Sequence, residues 1–113
     1  MRQVCGLDVH KDSVFACIVN EKGVIFQEKF GVLTPELEQL AAKLQERDVS
    51  EVCMESTSIY WIPVWRVLEP YVAELKLVNP YFIKQLPGKK SDVKDAEWIA
   101  TCLLKDQIGR AHV

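Results

Sequence analysis

Short apolar runs broken by polar quartets open the chain, and a helical period replaces them further on. Gln3 to Asp8, Val14 to Asn20 and Val24 to Phe30 are rich in Val, Ile, Phe and Cys, and His10 to Ser13 and Asn20 to Gly23 separate them. Runs of this kind bounded by turn residues predict three antiparallel strands in a meander. From Thr34 the apolar positions Leu37, Leu40, Ala41 and Leu44 fall on one helical face, with Thr34 as N-cap, Pro35 at the first helical position and Glu36 in the first turn. This helix is expected to end near Arg47. Glu51 to Met54 predicts a short buried strand, after which Ser56, Thr57 and Ser58 offer caps to a second helix carrying Tyr60, Trp61, Val64, Trp65 and Leu68. Pro63 is tolerated only near the first turn of that helix. Val72 to Val78 reads as another strand, Asn79 and Pro80 break the chain, and a short helical stretch from Tyr81 to Leu86 ends at Pro87 and Gly88. A last helix is expected from near Ser91, with Ala96, Ile99, Ala100, Leu103 and Leu104 apolar.

The resulting order is three strands, then helix, strand, helix, strand and two helices. Each of the last two strands is reached through a helix, so both must run parallel to a neighbour. The fold class expected is therefore α/β: a mixed five-stranded sheet, three antiparallel strands followed by two parallel ones, with helices on both faces. No internal repeat and no linker interrupts it. At 113 residues, about half of them hydrophobic, the chain is long enough for one core and too short for two.

A net charge of −2 argues against a wholly basic nucleic-acid binder, so any phosphate contact must be local. The densest basic stretch, Lys84, Lys89, Lys90 and Lys94, surrounds Asp92. Cys5, Cys17, Cys53 and Cys102 lack CxxC spacing and read as reduced core residues, which makes a zinc site a poor fit. With no signal peptide and no long apolar run, the expected location is cytoplasmic, without membrane contact.

Four acids carry the candidate chemistry. Asp8 ends the first strand and Glu55 follows the fourth, each after an apolar run where an unpaired carboxylate is costly to bury. Taken singly, each reads as a turn or a cap. Asp92 and Asp95, three apart at the start of the last helix, would project from one face. If the first and fourth strands are neighbours, Asp8 and Glu55 emerge side by side where the last helix crosses, and the four share a pocket. Clustered carboxylates call for protons or divalent cations, and oxygen-only ligation suits magnesium or manganese. Two such ions about 3.5–4 Å apart can activate an attacking oxygen and stabilise the leaving oxygen of a phosphodiester.

The motifs Gly6-Leu7-Asp8-Val9-His10-Lys11, Met54-Glu55-Ser56-Thr57, Val78-Asn79-Pro80 and Lys90-Ser91-Asp92-Val93-Lys94-Asp95-Ala96 resemble, in order and spacing, those of the DEDD-type transposases of the insertion sequence one-ten group. These are relatives of the Piv invertases and include bridge-RNA-guided recombinases. The resemblance covers residues 1–107 and implies a ribonuclease-H-like, RuvC-like domain with Asp8, Glu55, Asp92 and Asp95 as its metal-binding, catalytic quartet. It further implies DNA as substrate, a guide RNA, a homo-oligomer, a bacterial or archaeal host, and a following coiled coil and serine-bearing domain that attacks DNA. Ser58 departs from the family pattern, where glycine is expected, and Pro63 departs from a good helix former.

The terminal Ile108 to Val113 matches the conceptual translation of a common sequencing adapter, so residues 108–113 are expected to be a non-native tail. His10 reads as a turn residue rather than a ligand. Lys11, Lys89, Lys90 and Lys94 are candidate phosphate contacts, and Tyr60, Trp61 and Trp65 read as core and rim of the second helix. The function expected is metal-dependent DNA strand cleavage and exchange in transposition. Alternatives are a self-sufficient resolvase using water as nucleophile, and a nucleic-acid-binding module whose acids are structural. An actin-like or sugar-kinase-like ATPase half fits less well, because Val9, His10 and Lys11 supply no glycine- and hydroxyl-rich phosphate loop.

Overall fold

A computed structural model describes residues 1–90 and 92–108. Its elements are β1 (Val4–Val9), β2 (Val14–Asn20), β3 (Gly23–Phe30), α1 (Thr34–Glu46), β4 (Glu51–Ser56), α2 (Trp61–Leu68) followed by a short 3-10 turn (Glu69–Tyr71), β5 (Glu74–Val78), α3 (Pro80–Gln85) and α4 (Asp95–Leu104). The first three strands form the expected meander. Its second turn is closed by Asn20, whose Oδ1 accepts the Lys22 N–H at 2.8 Å, and by Gly23 at a φ of 119°, a left-handed geometry that glycine adopts without a Cβ clash.

The five strands lie in the order β3-β2-β1-β4-β5, antiparallel across β3, β2 and β1 and parallel across β1, β4 and β5. Alternating side chains build two cores, one on each face. Cys5, Leu7, Ile18, Val52 and Met54 meet Leu37, Leu40, Ala41 and Leu44 of α1 and Val64 and Leu68 of α2. On the other face Val4, Cys17, Cys53 and Val78 meet Ile83 of α3 and Ala96, Ile99, Ala100 and Leu103 of α4. Each fully buried Leu or Ile contributes about 1.5–3 kcal/mol, so both helical layers hold by burial. All four cysteines are free and buried, and burial pushes the Cys17 and Cys53 thiols up to about 12 and Cys102 to about 11, leaving them protonated and inert. No helix among the described residues is long and apolar enough to cross a membrane.

Gly6 sets how close α4 comes to β1. A Cβ there would collide with the Ala96 carbonyl oxygen and the Ala100 amide, so only glycine lets the helix backbone lie on the strand. At the far end of α4, Arg2 donates to the Leu103 and Leu104 carbonyls and pairs with Glu51 and Asp106, satisfying helix-end acceptors while tying the chain start to β4.

Several local expectations are corrected. Thr34 is not the N-cap: Leu37 N–H already bonds to Leu33 O, so Leu33 holds that place in extended conformation and Thr34 is the first helical residue. Ser56, Thr57 and Ser58 do not cap α2. Ser56 belongs to β4, Ser58 turns the chain at a φ of 55°, and a turn from Ile59 to Ile62 leads into the helix. β4 runs on past Met54, which puts Glu55 inside the strand, and β5 begins at Glu74 rather than Val72. The last helix starts at Asp95, because Lys94 is extended and Val93 N–H closes a turn onto Lys90 O. Asp92 and Asp95 therefore do not share a helical face. Of the expected tail, Ile108 is buried with the α4 core, and residues 109–113 lie outside the described residues.

Candidate metal centre

The carboxylates meet because the register brings them together. In the parallel pair of β1 and β4, Asp8 stands opposite Glu55, and aligned residues on adjacent strands point to the same face. That face is the one α4 covers, and Asp95 is its first residue. One oxygen from each of Asp8, Glu55 and Asp95 lies within 4.8 Å of the others.

Glu55 is only 6% exposed, and its Oε2 is buried without a hydrogen-bond partner among the described residues. Burial, then the charges of Asp8 and Asp95, push its carboxyl up to about 7, against the pull of Lys84 and Lys89. A desolvated carboxylate with an orphaned oxygen, set beside two further carboxylates, suits a hard divalent cation, and the all-oxygen donor set fits magnesium or manganese. The residues present could hold such an ion.

Two contacts position the acids. His10 donates its Nε2–H to Asp8 Oδ2 at 3.0 Å, and Lys89 Nζ donates to Asp95 Oδ1 at 2.5 Å. An open cleft of about 490 Å³ lies against Asp8 and Asp95, with Lys29, Lys89, Lys94 and Phe15 in its other walls. Asp92 is exposed in the turn before α4 and outside the triad. Lys90 is exposed outside the cleft wall, and Lys11 lies beside Ile59, Tyr60 and Pro63 at a separate surface pocket. Trp61 and Trp65 pack edge to face with ring centroids 5.8 Å apart, away from the acids, as core and rim of α2.

Sequence reasoning passed over Lys29, Phe15 and the ring of His10. The first two were within reach of register counting: Asp8 pairs with Phe15 across the first hairpin, and Phe15 with Lys29 across the second. Gly6 carried its own signal, an isolated glycine inside a strand pattern, which marks close backbone approach.

A sheet of this order, clad on both faces and bearing acids on adjoining parallel strands, defines a ribonuclease-H-like domain of the RuvC type. Solved structures agree on the fold. RuvC of T. thermophilus in complex with a Holliday junction substrate superposes with a TM-score of 0.63 at 14% identity over 99% of both chains. The Fowlpox virus resolvase in complex with substrate Holliday junction DNA does so at 0.59 and 12% identity, over 91% of this chain and 99% of that one. Archaeoglobus fulgidus Pelota matches at 0.56 and 17% identity over 96% of this chain but 32% of its own. No curated protein sequence matches the chain. Residues 5–112 match the family profile described as Transposase, that of the DEDD transposases of the insertion sequence one-ten group, and the chain belongs to this family.

Proposed function

We propose that this domain performs metal-dependent DNA strand cleavage and exchange in transposition, with Asp8, Glu55 and Asp95 holding magnesium or manganese, two ions in the working complex. The observation that carries this reading is the buried Glu55 carboxylate, which has an unpartnered oxygen and gathers with Asp8 and Asp95 so that one oxygen of each lies within 4.8 Å of the others. When bound, such ions would supply Lewis-acid activation of an attacking oxygen and stabilisation of a leaving oxygen. The protein's own part is to hold three carboxylates together against their repulsion, to fix Asp8 through His10, and to offer Lys89 and Lys94 to the phosphate backbone. DNA as the substrate is supported by family membership and by resolvases of the same fold solved with Holliday junctions. The family motif adds Asp92 as a fourth acid, Lys11 and Lys90 as outlying phosphate contacts, and a guide RNA, a homo-oligomer and a serine-bearing domain as the setting in which the carboxylates assist.

Calorimetry and thermal shift with magnesium and manganese test the reading. The native chain should bind and be stabilised, and Asp8→Asn and Asp95→Asn should lose both responses. Loss in Asp92→Asn would extend the centre to a fourth ligand, whereas an unchanged response would confine it to three. A folded native chain indifferent to both ions would overturn the proposal and make the acids structural.

A further inference from the structure

The site does not end at the carboxylates. Lys29, Phe15, Asp8, Glu55 and Val78 are successive partners across β3, β2, β1, β4 and β5, so one row crosses the whole sheet on the face that α4 covers. Val78 is buried at one end of the row, but Phe15 is half-buried and Lys29 exposed at the other, and both line the cleft beside Asp8. Lys94, extended just before α4, reaches over the same ring, its Nζ 4.4 Å from the Phe15 centroid.

Charge separates this wall from the rest of the cleft. Lys89 is already paired with Asp95, whereas among the described residues no carboxylate lies within ion-pair distance of Lys29 or Lys94. The acids lining the cleft are Asp8 and Asp95 themselves. Neither ammonium is held by a carboxylate, the Lys94 ammonium resting over the half-buried Phe15 ring, and strand spacing puts Lys29 about 10 Å from Asp8, two strands away. Stacking surface beside backbone cations is the arrangement that binds single-stranded nucleic acid.

Building on the cleavage reading above, we propose that Phe15, Lys29 and Lys94 form a subsite for the nucleotide flanking the phosphate held at the carboxylates, on an unpaired DNA strand. The base takes the place of the Lys94 ammonium against the Phe15 ring, and Lys94, swung off the ring, joins Lys29 on the adjoining phosphate. The cleft thereby gives the strand a direction, running from the acids toward the β3 edge. DNA rather than RNA is specified because the subsite is continuous with the carboxylates at which the cleaved strand would lie.

Fluorescence anisotropy of a labelled single-stranded DNA on the full chain at saturating magnesium tests this. Lys29→Gln and Lys94→Gln should each weaken binding severalfold and lower the slope of log affinity against log salt by about 0.7, the loss of one phosphate contact. Phe15→Leu should weaken binding about tenfold and leave the salt slope unchanged. Lys105→Gln, exposed at the far end of α4 and outside the cleft wall, should change neither. Because Lys29 is exposed on an edge strand, its variant should fold even if Phe15→Leu does not. Calorimetric metal binding in the same proteins separates the two proposals. Absence of metal binding overturns the metal reading. Intact metal binding with Lys29→Gln and Phe15→Leu indistinguishable from Lys105→Gln overturns only the subsite, leaving Lys29 as a charge that guards a sheet edge. Failure of the native chain to bind the DNA, or tighter binding of an RNA of the same sequence, also overturns it.

Discussion

Glu55 places a carboxylate where water scarcely reaches, and its titration governs how the metal-free domain responds to pH. An acid whose folded pKa exceeds its unfolded value binds its proton more tightly in the native state. Stability from Glu55 is therefore fully present below about 4.5 and is lost as pH rises through about 7. Urea unfolding in chelator should show this decline, and Glu55→Gln should flatten it and leave the domain more stable near pH 8, by up to about 3 kcal/mol. Glu51 works in the opposite sense: its hydrogen bonds to Arg2 lower its pKa, so its contribution is present above about 4.5 and is lost as pH falls through the lowered value. Ser58 supplies a second test at this scale. It holds a left-handed φ of 55°, which accounts for the glycine expected there from the family pattern. Ser58→Gly should stabilise the chain by about 1 kcal/mol in the same assay, and an unchanged midpoint would show the turn to be unstrained. Asp8 and Glu55 were legible because an acid that closes or follows an apolar run stands out, and Asp95 through its spacing from Asp92 and the motif resemblance around it. The ring of His10 was not: its turn position could be read, but its contact with Asp8 depends on a rotamer that the surrounding fold selects.

At the scale of elements, α4 owes its seat on β1 to Gly6. Gly6→Ala should cost about 1–3 kcal/mol through overpacking against the α4 backbone. It should also weaken the metal-induced thermal shift, because Asp95 rides on the helix that has to move; a variant as stable and as metal-responsive as the native chain would contradict this role. The strand and helix sequence was readable from periodicity almost throughout, and β2 runs from Val14 to Asn20 as expected. The errors gathered at helix starts. Thr34, Ser56 and Asp92 all have the chemistry of caps, yet none acts as one, because backbone turns and an extended Lys94 set where the helices begin. Cap propensity is worth about 1 kcal/mol and yields to the burial of a helix face.

Across the whole molecule, a chain of net charge −2 sets three lysines, Lys29, Lys89 and Lys94, in the walls of one acidic cleft. The sign of the charge therefore changes over a few ångströms rather than between ends of the protein. Saturating metal should offset the repulsion at the cleft: at a hundredfold excess over Kd, linkage stabilises the native state by about 2.7 kcal/mol, read as a rise in Tm that chelator reverses. Asp8→Asn should show no such rise.

Hydrophobic period and turn chemistry, both local, determined by themselves that this chain folds as an α/β domain with a mixed sheet, and the spacing of its acidic motifs pointed to a carboxylate site. Only the tertiary structure decided which acids converge. It aligned Asp8 with Glu55 through the parallel register, brought Asp95 in at the foot of α4 across Gly6, left Asp92 in an exposed turn, and extended the row to Phe15 and Lys29. Convergence depends on strand register and on where a helix begins, and both are set by packing between segments far apart in the chain.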